Sequence, residues 1–312
     1  MTTASSLKNL RLMETFRNLF YTPIYVAVSG GFFYRHGLNV MFSTMPEGGA
    51  AMDIIRSGEV DVVQTGVSRS FVELDLGHED APLHIAEINR RDGFFLVSRE
   101  PTDDWEWKML EGTTLAPVGF TPVPWNSLRA AMLKHGVDLD SLDLVTGLSA
   151  QDALDQFRAG AIDYVHMPHP QAGLLVAEGS GHIATALGPE LGHICYSSFA
   201  AMPDFIESHP DTVQAFVNGF DDALRWLAGA EDAEVVEQVE PFFAELDSSL
   251  LQDCIHQYRA NNTWPESAAI TESSYNGMRD ILIDGGMVRG RHEYDRLVRP
   301  EFAATSAERS FL

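Results

Sequence analysis

The sequence predicts an α/β protein of two lobes, each a mixed, mostly parallel sheet flanked by helices, and three observations carry that reading. First, residues 56–70, Arg-Ser-Gly-Glu-Val-Asp-Val-Val-Gln-Thr-Gly-Val-Ser-Arg-Ser, are echoed at 158–165 by Arg-Ala-Gly-Ala-Ile-Asp-Tyr-Val. Each copy ends a helical pattern, turns at a glycine (Gly58, Gly160), passes an aspartate (Asp61, Asp163) and enters a short apolar run that reads as a buried strand. Second, each copy is preceded by another strand pattern, Leu38-Asn-Val or Leu142-Asp-Leu, feeding a helix that opens near Gly48 or Ser149. A strand-helix-strand unit used twice implies two parallel-sheet lobes, and ligands of such sheets bind beyond the carboxyl ends of the strands. Third, 312 residues with 45% hydrophobic content suffice for two cores, at roughly 100–200 residues per domain.

Taken in order, residues 7–13 read as the first strand. Residues 18–33 read as a loop entering a helix, framed by Pro23 and by Gly30-Gly31, with Tyr21 and Thr22 at its mouth. Unpaired N–H groups at that helix start would suit an anion or a polar ligand atom. After the first repeat, Thr65-Gly66-Val67-Ser68 closes a strand and opens a helix, with Ser68 as N-cap and Arg69 in the first turn, where a cation opposes the helix dipole unless an anion offsets it. Residues 83–89 and 94–99 read as strands joined by an Asp-Gly hairpin turn, and 101–107 as a crossover into the second lobe. Residues 115–125 are a strand running into a Gly/Pro-punctuated loop, the second lobe's counterpart of the Tyr21 mouth. There Gly119 permits close backbone approach, and Phe120 and Trp125 stack on a flat ligand or pack under the loop. A helix is expected from 125 to 135. The second repeat ends in His166-Met-Pro-His-Pro; the prolines break the spacing a helical metal pair needs and no third ligand is adjacent, so no metal site is assigned. Residues 183–187 and 194–202 read as strands returning to the first lobe, followed by helices at 209–226, 233–243, 248–261 and 272–285. The expected lobes are therefore 1–99 with 194–312, and 100–193.

A formal charge of −24, with lysine only at Lys8, Lys108 and Lys134, excludes a nucleic-acid partner. Cys195 and Cys254 are too few for a cysteine-rich metal site and carry no nucleophile motif around them. No cofactor is indicated. The opening residues hold no apolar run of signal-peptide length, nothing later spans a membrane, and no early cysteine could carry a lipid. As written the chain is expected in the cytoplasm, without membrane insertion; a removed leader would place it in the periplasm or outside the cell.

Asn18…Thr22-Pro-Ile-Tyr-Val-Ala…Gly31-Phe-Phe…Gly37-Leu-Asn-Val, the Gly58-Glu-Val-Asp turn and His209-Pro-Asp-Thr-Val-Gln-Ala-Phe resemble the substrate-binding proteins of the nitrate/sulfonate/taurine and thiamine-precursor class, the SsuA/THI5-like (NMT1) family. The resemblance covers nearly the whole chain. It implies the type II periplasmic-binding-protein fold with a two-stranded hinge, and a ligand held between the lobes by the loop at Asn18, Tyr21 and Thr22, by Thr65, Gly66 and Ser68, by Gly119, Phe120 and Thr121, and by His166, Met167 and His169. Arg69 and Trp125 join these from their own positions. The aromatic mouth points to a planar ligand with a carboxylate or sulfonate.

The leading expectation is a non-catalytic binding protein for a small organic ligand (sulfonate-, carboxylate- or pyrimidine-like), working with an ABC permease and ATPase. The alternative is a cytoplasmic enzyme on the same scaffold, desulfinase-, decarboxylase- or pyrimidine-synthase-like, or a ligand sensor, with Arg69 holding an anionic group and His166 or His169 moving a proton. The family's pyrimidine synthases carry a cysteine-rich loop and an active-site lysine, and its desulfinases a cysteine in the first-strand loop; this chain has neither feature.

Overall fold

The repeated aspartate explains why each lobe builds the same sheet. In the computed structural model, which describes residues 7–102, 104–119 and 122–308, the first sheet comprises β1 (Lys8–Glu14), β2 (Leu38–Thr44), β3 (Val62–Thr65), β4 (Leu83–Asn89) and β10 (Ser197–Ala201), in the order β2-β1-β3-β10-β4. The second comprises β5 (Phe94–Ser98), β6 (Thr114–Ala116), β7 (Asp143–Leu144), β8 (Tyr164–Pro168) and β9 (His182–Ala186), in the order β7-β6-β8-β5-β9. In each sheet three parallel strands stand beside one antiparallel strand, β10 or β5, that adjoins the chain's passage between lobes.

Asp61 ends the turn before β3. Its Oδ2 accepts the backbone N–H of Arg11 on β1 at 2.7 Å, and its own N–H donates to the Arg11 carbonyl at 2.9 Å. Asp163 does the same before β8: its Oδ2 accepts the Thr114 N–H at 2.9 Å and hydroxyl at 2.7 Å, and its N–H returns to the Thr114 carbonyl at 3.1 Å. The bonds from Thr114 hold the Asp163 carboxyl below its usual range. The glycine three residues earlier is needed for its φ, +73° at Gly58 and +84° at Gly160, a left-handed conformation that closes the helix. Each unit thus registers its second strand on the neighbour that precedes it.

The core follows the apolar stripes. The Pro210–Gly229 helix buries Phe216 and Phe220 against Phe199 of β10, with Phe33 stacked on Phe216 at 4.8 Å. Apolar packing continues from the first lobe through the passage residues Phe94 and Tyr196 into Phe95, Phe157 and Leu175 of the second.

Several expectations are corrected. Residues 89–93 form no hairpin: β4 and β5 lie in different sheets, so the chain changes lobe before Phe94, not after Arg99. Asp92 uses its Oδ1 to accept the Phe94 N–H at 2.8 Å, and Gly93 is small because the Phe20 ring stands 2.2 Å from where its Cβ would lie. The dipeptide serves close packing instead of a turn. Trp107 belongs to the second lobe's own core with Leu115 and Leu128, so residues 101–107 are no crossover. Strand β9 pairs with β5 and stays in the second sheet; the return runs between β9 and β10. The second-lobe helix starts earlier than expected, as Pro122–Lys134, with two prolines in its first turn.

Replacing either aspartate by alanine leaves the paired backbone N–H without its acceptor. Asp61→Ala and Asp163→Ala are each expected to lower unfolding free energy by about 1–2 kcal/mol, and the double variant by their sum because the sites lie in separate sheets; urea denaturation measures this.

Candidate functional site

A cavity of about 70 Å³ lies where the two lobes meet, at the carboxyl ends of β1 and β3. The first lobe supplies Thr15, Tyr21, Gln64, Thr65, Ser68, Arg69 and, at the start of β10, Ser197; the return passage supplies Tyr196; and the second lobe supplies Phe94, at the start of β5, with Val123 and Pro124.

The chain just past β1 is held to β3 by Gln64, whose Oε1 accepts both the N–H (2.9 Å) and the hydroxyl (2.8 Å) of Thr15. Tyr21 sets its phenol beside Gln64 and is pushed above its ordinary range, chiefly by burial. Beyond β3 the Val67–Asp75 helix opens at Gly66 without a side-chain cap; the Arg69 N–H donates to the Gly66 carbonyl at 3.1 Å, and among the described residues no side chain caps the N–H groups before it. Ser68 is the second helical residue and not the cap expected of it. Arg69 is exposed on the same turn, lines the cavity, and makes no ion pair among the described residues. The helix dipole and the guanidinium both contribute positive potential at this edge.

Two hydroxyls mark the floor. Thr65 and Tyr196 are buried and line the cavity, yet neither Thr65 Oγ1 nor Tyr196 Oη has a hydrogen-bond partner among the described residues. A buried polar group is normally satisfied, so each marks a position that a ligand atom or water can fill, the Tyr196 hydroxyl with Ser127 also within reach. Beside Tyr196 lie Ser127 and Asp92, where burial raises the Asp92 carboxyl to about 7.

The other residues named from sequence fall in three places. Asn18 and Thr22 are buried and structural: Asn18 Oδ1 accepts the Phe20 N–H at 2.9 Å, and the Thr22 hydroxyl donates to the Leu19 carbonyl at 2.8 Å. Gly119 and Trp125 line a different cavity, about 330 Å³, on the second lobe, with Trp125 half-buried. Phe120 and Thr121 lie outside the described residues. His166, Met167 and His169 are buried; His166 packs 5.1 Å from the Phe94 ring and His169 lies 4.3 Å from Phe95 and 5.0 Å from Tyr258. Burial depresses both imidazoles to about 3, so they are neutral near pH 7 and none of these three lines the interlobe cavity. Among the described residues no group of three or more His, Cys, Asp or Glu is arranged to hold a metal ion.

Thr15, Phe16, Phe94, Val123, Pro124, Tyr196 and Ser197 were not foreseen. Pro124 sits in a Pro-x-Pro helix start that could have been read as a rigid rim; Tyr196 has no local signal, because only the passage of the chain between lobes brings it to the site. A larger cavity, about 990 Å³, lies at the opposite end of the first sheet beside Lys8, Gly58 and Met202. Parallel strands begin there, and its Arg11 and Arg56 are already paired with Asp61 and Glu73, so the smaller interlobe cavity is the better candidate.

Residues 12–239 match the NMT1-like family. YtlA of Bacillus subtilis (strain 168), to which a binding role is ascribed, is 26% identical over 299 residues, covering 96% of this chain and 90% of that one. The periplasmic aliphatic sulphonate binding protein SsuA from Escherichia coli superposes with a TM-score of 0.75 at 15% identity, over 95% of this chain and 93% of its own. The desulfurization enzyme DSZB superposes with a TM-score of 0.70 at 14% identity, over 96% and 99%. At such identities the structural likenesses establish the fold alone, the two-lobed type II periplasmic-binding-protein fold. With 12–239 of its 312 residues matched, this chain belongs to the NMT1-like family.

Proposed function

We propose that the protein is the substrate-binding component of an ABC-type uptake system and holds a small organic anion, a sulfonate or carboxylate with a flat body, between its lobes. The observation that carries this is the conjunction, around one cavity, of an Arg69 without an ion pair, an open helix start and the hydroxyls of Thr65 and Tyr196 without a hydrogen-bond partner, all among the described residues. The rings of Phe16, Tyr21, Phe94 and Tyr196 line the same space and suit a planar body. The role ascribed to YtlA and the sulphonate bound by SsuA support the reading. Because both lobes line the cavity, a ligand there favours their closure, and the closed lobes are what a permease would recognise. No helix among the described residues is long and apolar enough to cross a membrane.

The enzymatic reading is weaker despite the fold shared with DSZB. Residues 15–18, which follow β1, contain no cysteine. Both Cys195 and Cys254 are buried, with their thiols pushed upward by desolvation, Cys254 to about 12. His166 and His169, the proton carriers such an enzyme would use, do not line the cavity.

In a thermal-shift screen, arylsulfonates and aromatic carboxylates should raise the midpoint, and mass spectrometry should recover them unchanged. Arg69→Gln should weaken the best of them by about 10–100-fold, as expected for one lost hydrogen bond to a charged group, with less dependence on salt. Tyr196→Phe should weaken it by about 3–10-fold without lowering the ligand-free unfolding midpoint, since it removes a buried hydroxyl that has no partner among the described residues. No shift from any of these anions, or consumption of one, would refute the proposal.

A second expectation concerns pH. His84, His166 and His169 titrate near 3 when folded and near 6.5 when unfolded. Between those values the unfolded chain binds more protons, so the stability these histidines contribute is complete above about 6.5 and is lost as pH falls. Asp92 and Glu87, both raised by burial when folded, work in the opposite sense, Asp92 up to about 7, two groups against three. The thermal midpoint should therefore drop from pH 7 to pH 5, and less steeply in His166→Phe.

A further inference from the structure

We propose that the turn at residues 284–292 is a clasp joining the two helices whose first turns meet the ligand, which makes Gly285, Asn126 and Asp75 positioning residues for the interlobe site. This rests on the reading of that cavity as the ligand site. The Val67–Asp75 helix brings Ser68 and Arg69 to the cavity from the first lobe, and the Pro122–Lys134 helix brings Val123 and Pro124 from the second. The same turn grips both.

On the first-lobe side, Asp75 accepts the N–H groups of Arg289 at 2.6 Å and Gly290 at 2.9 Å and pairs with the His292 ring at 3.0 Å. The guanidinium of Arg289 returns to the Asp75 carbonyl at 2.8 Å. The preceding helix, Glu272–Asp284, is fixed to the same lobe by Tyr275 packed edge-on to Phe71 at 5.2 Å, and to the return passage by the Cys195 N–H donating to the Ser274 carbonyl at 3.0 Å. On the second-lobe side, Arg129 donates to the Asp284 carbonyl at 3.2 Å and the amide of buried Asn126 reaches Met287 Sδ at 3.8 Å.

Gly285 makes the approach possible. Its φ of −79° is open to any residue, so its lack of a side chain is a matter of space. A Cβ there would lie 1.6 Å from Asn126 Oδ1. The contacts of Asn126 and Arg129 join separate lobes, so they break when the lobes part, and contacts made only in one state shift the population toward it. The clasp therefore favours closure from outside the cavity, through residues that touch no ligand.

The test uses small-angle scattering without ligand, and calorimetric titration with benzenesulfonate. Gly285→Ala should enlarge the radius of gyration and weaken benzenesulfonate binding about 10-fold if the closed population falls tenfold, with circular dichroism and unfolding midpoint confirming a folded chain. Adding Asn126→Ala removes the atom that the new methyl strikes and should restore most of both. Arg129→Ala, a milder change, should move both readouts the same way and carries the test if Gly285→Ala does not fold. Scattering identical to the parent in whichever of these variants carries the test, or an opening by Gly285→Ala that Asn126→Ala does not reverse, would overturn the clasp. If the parent chain binds no sulfonate or carboxylate, the ligand reading fails, while the ligand-free scattering still decides the clasp.

Discussion

The ring of Phe20 occupies the space a side chain on Gly93 would need, and the meeting of the two lobes depends on that contact. Phe20 is fully buried among the rings of Tyr21, Phe94, Tyr196 and Tyr258, which come from the first lobe, both passages and the carboxyl-terminal helices. Its carbonyl accepts hydrogen bonds from the Asn89 side-chain amide and the Trp264 indole. One residue thereby fixes the end of β4, the first passage and the start of the loop that carries Tyr21. Three of the rings packed on it also line the cavity, so the interlobe cavity is bounded by the element that joins the lobes.

That arrangement separates burial from availability. Glu14 is as buried as Thr65, but its carboxylate is consumed by the Tyr25 hydroxyl at 2.6 Å and the Thr44 hydroxyl at 2.7 Å, which pin the Thr22–Ser29 helix to β1 and β2. His84 is likewise used, bridging Ser70 and Ser198. Thr65, Tyr196 and Arg69 keep their hydrogen-bonding capacity, and they surround one cavity. Desolvation is costly for groups that remain unsatisfied, and of the buried groups without a partner among the described residues Thr65 and Tyr196 are the two that line this cavity, where a ligand can complete them.

Binding proteins and at least one enzyme share this two-lobed fold, and the fold does not choose between them. The choice rests on chemistry at the cavity. The thiols are sealed in the core, and the histidines of the second repeat are neutral and packed behind aromatic rings. What faces the cavity can hold an anion and a flat body. A positive helix start in a chain of net charge −24 also has a simple logic, since the site is attractive locally while the remaining surface discourages nonspecific anions.

The repeat, the α/β class and the residues 64–69 were legible in the chain because they depend on local pattern: glycine at a positive φ, an aspartate before an apolar run, a helix starting after a strand. Likewise the long carboxyl-terminal helices announce themselves by their apolar stripes. The Asp92-Gly93 dipeptide misled, since it has the composition of a hairpin turn and is instead a buried passage whose glycine is demanded by a ring 73 residues earlier. Tyr196, Val123 and Pro124 reach the site only through the pairing of β10 and β5 with strands of opposite lobes, and His166 and His169 leave it because β8 pairs beside β5, which sets their rings against Phe94 and Phe95. By itself, then, the sequence determined the two sheets and the first lobe's turn at residues 64–69, which short-range backbone preferences dictate. Only the tertiary structure decided which polar groups remain unsatisfied, because that depends on partners far away along the chain.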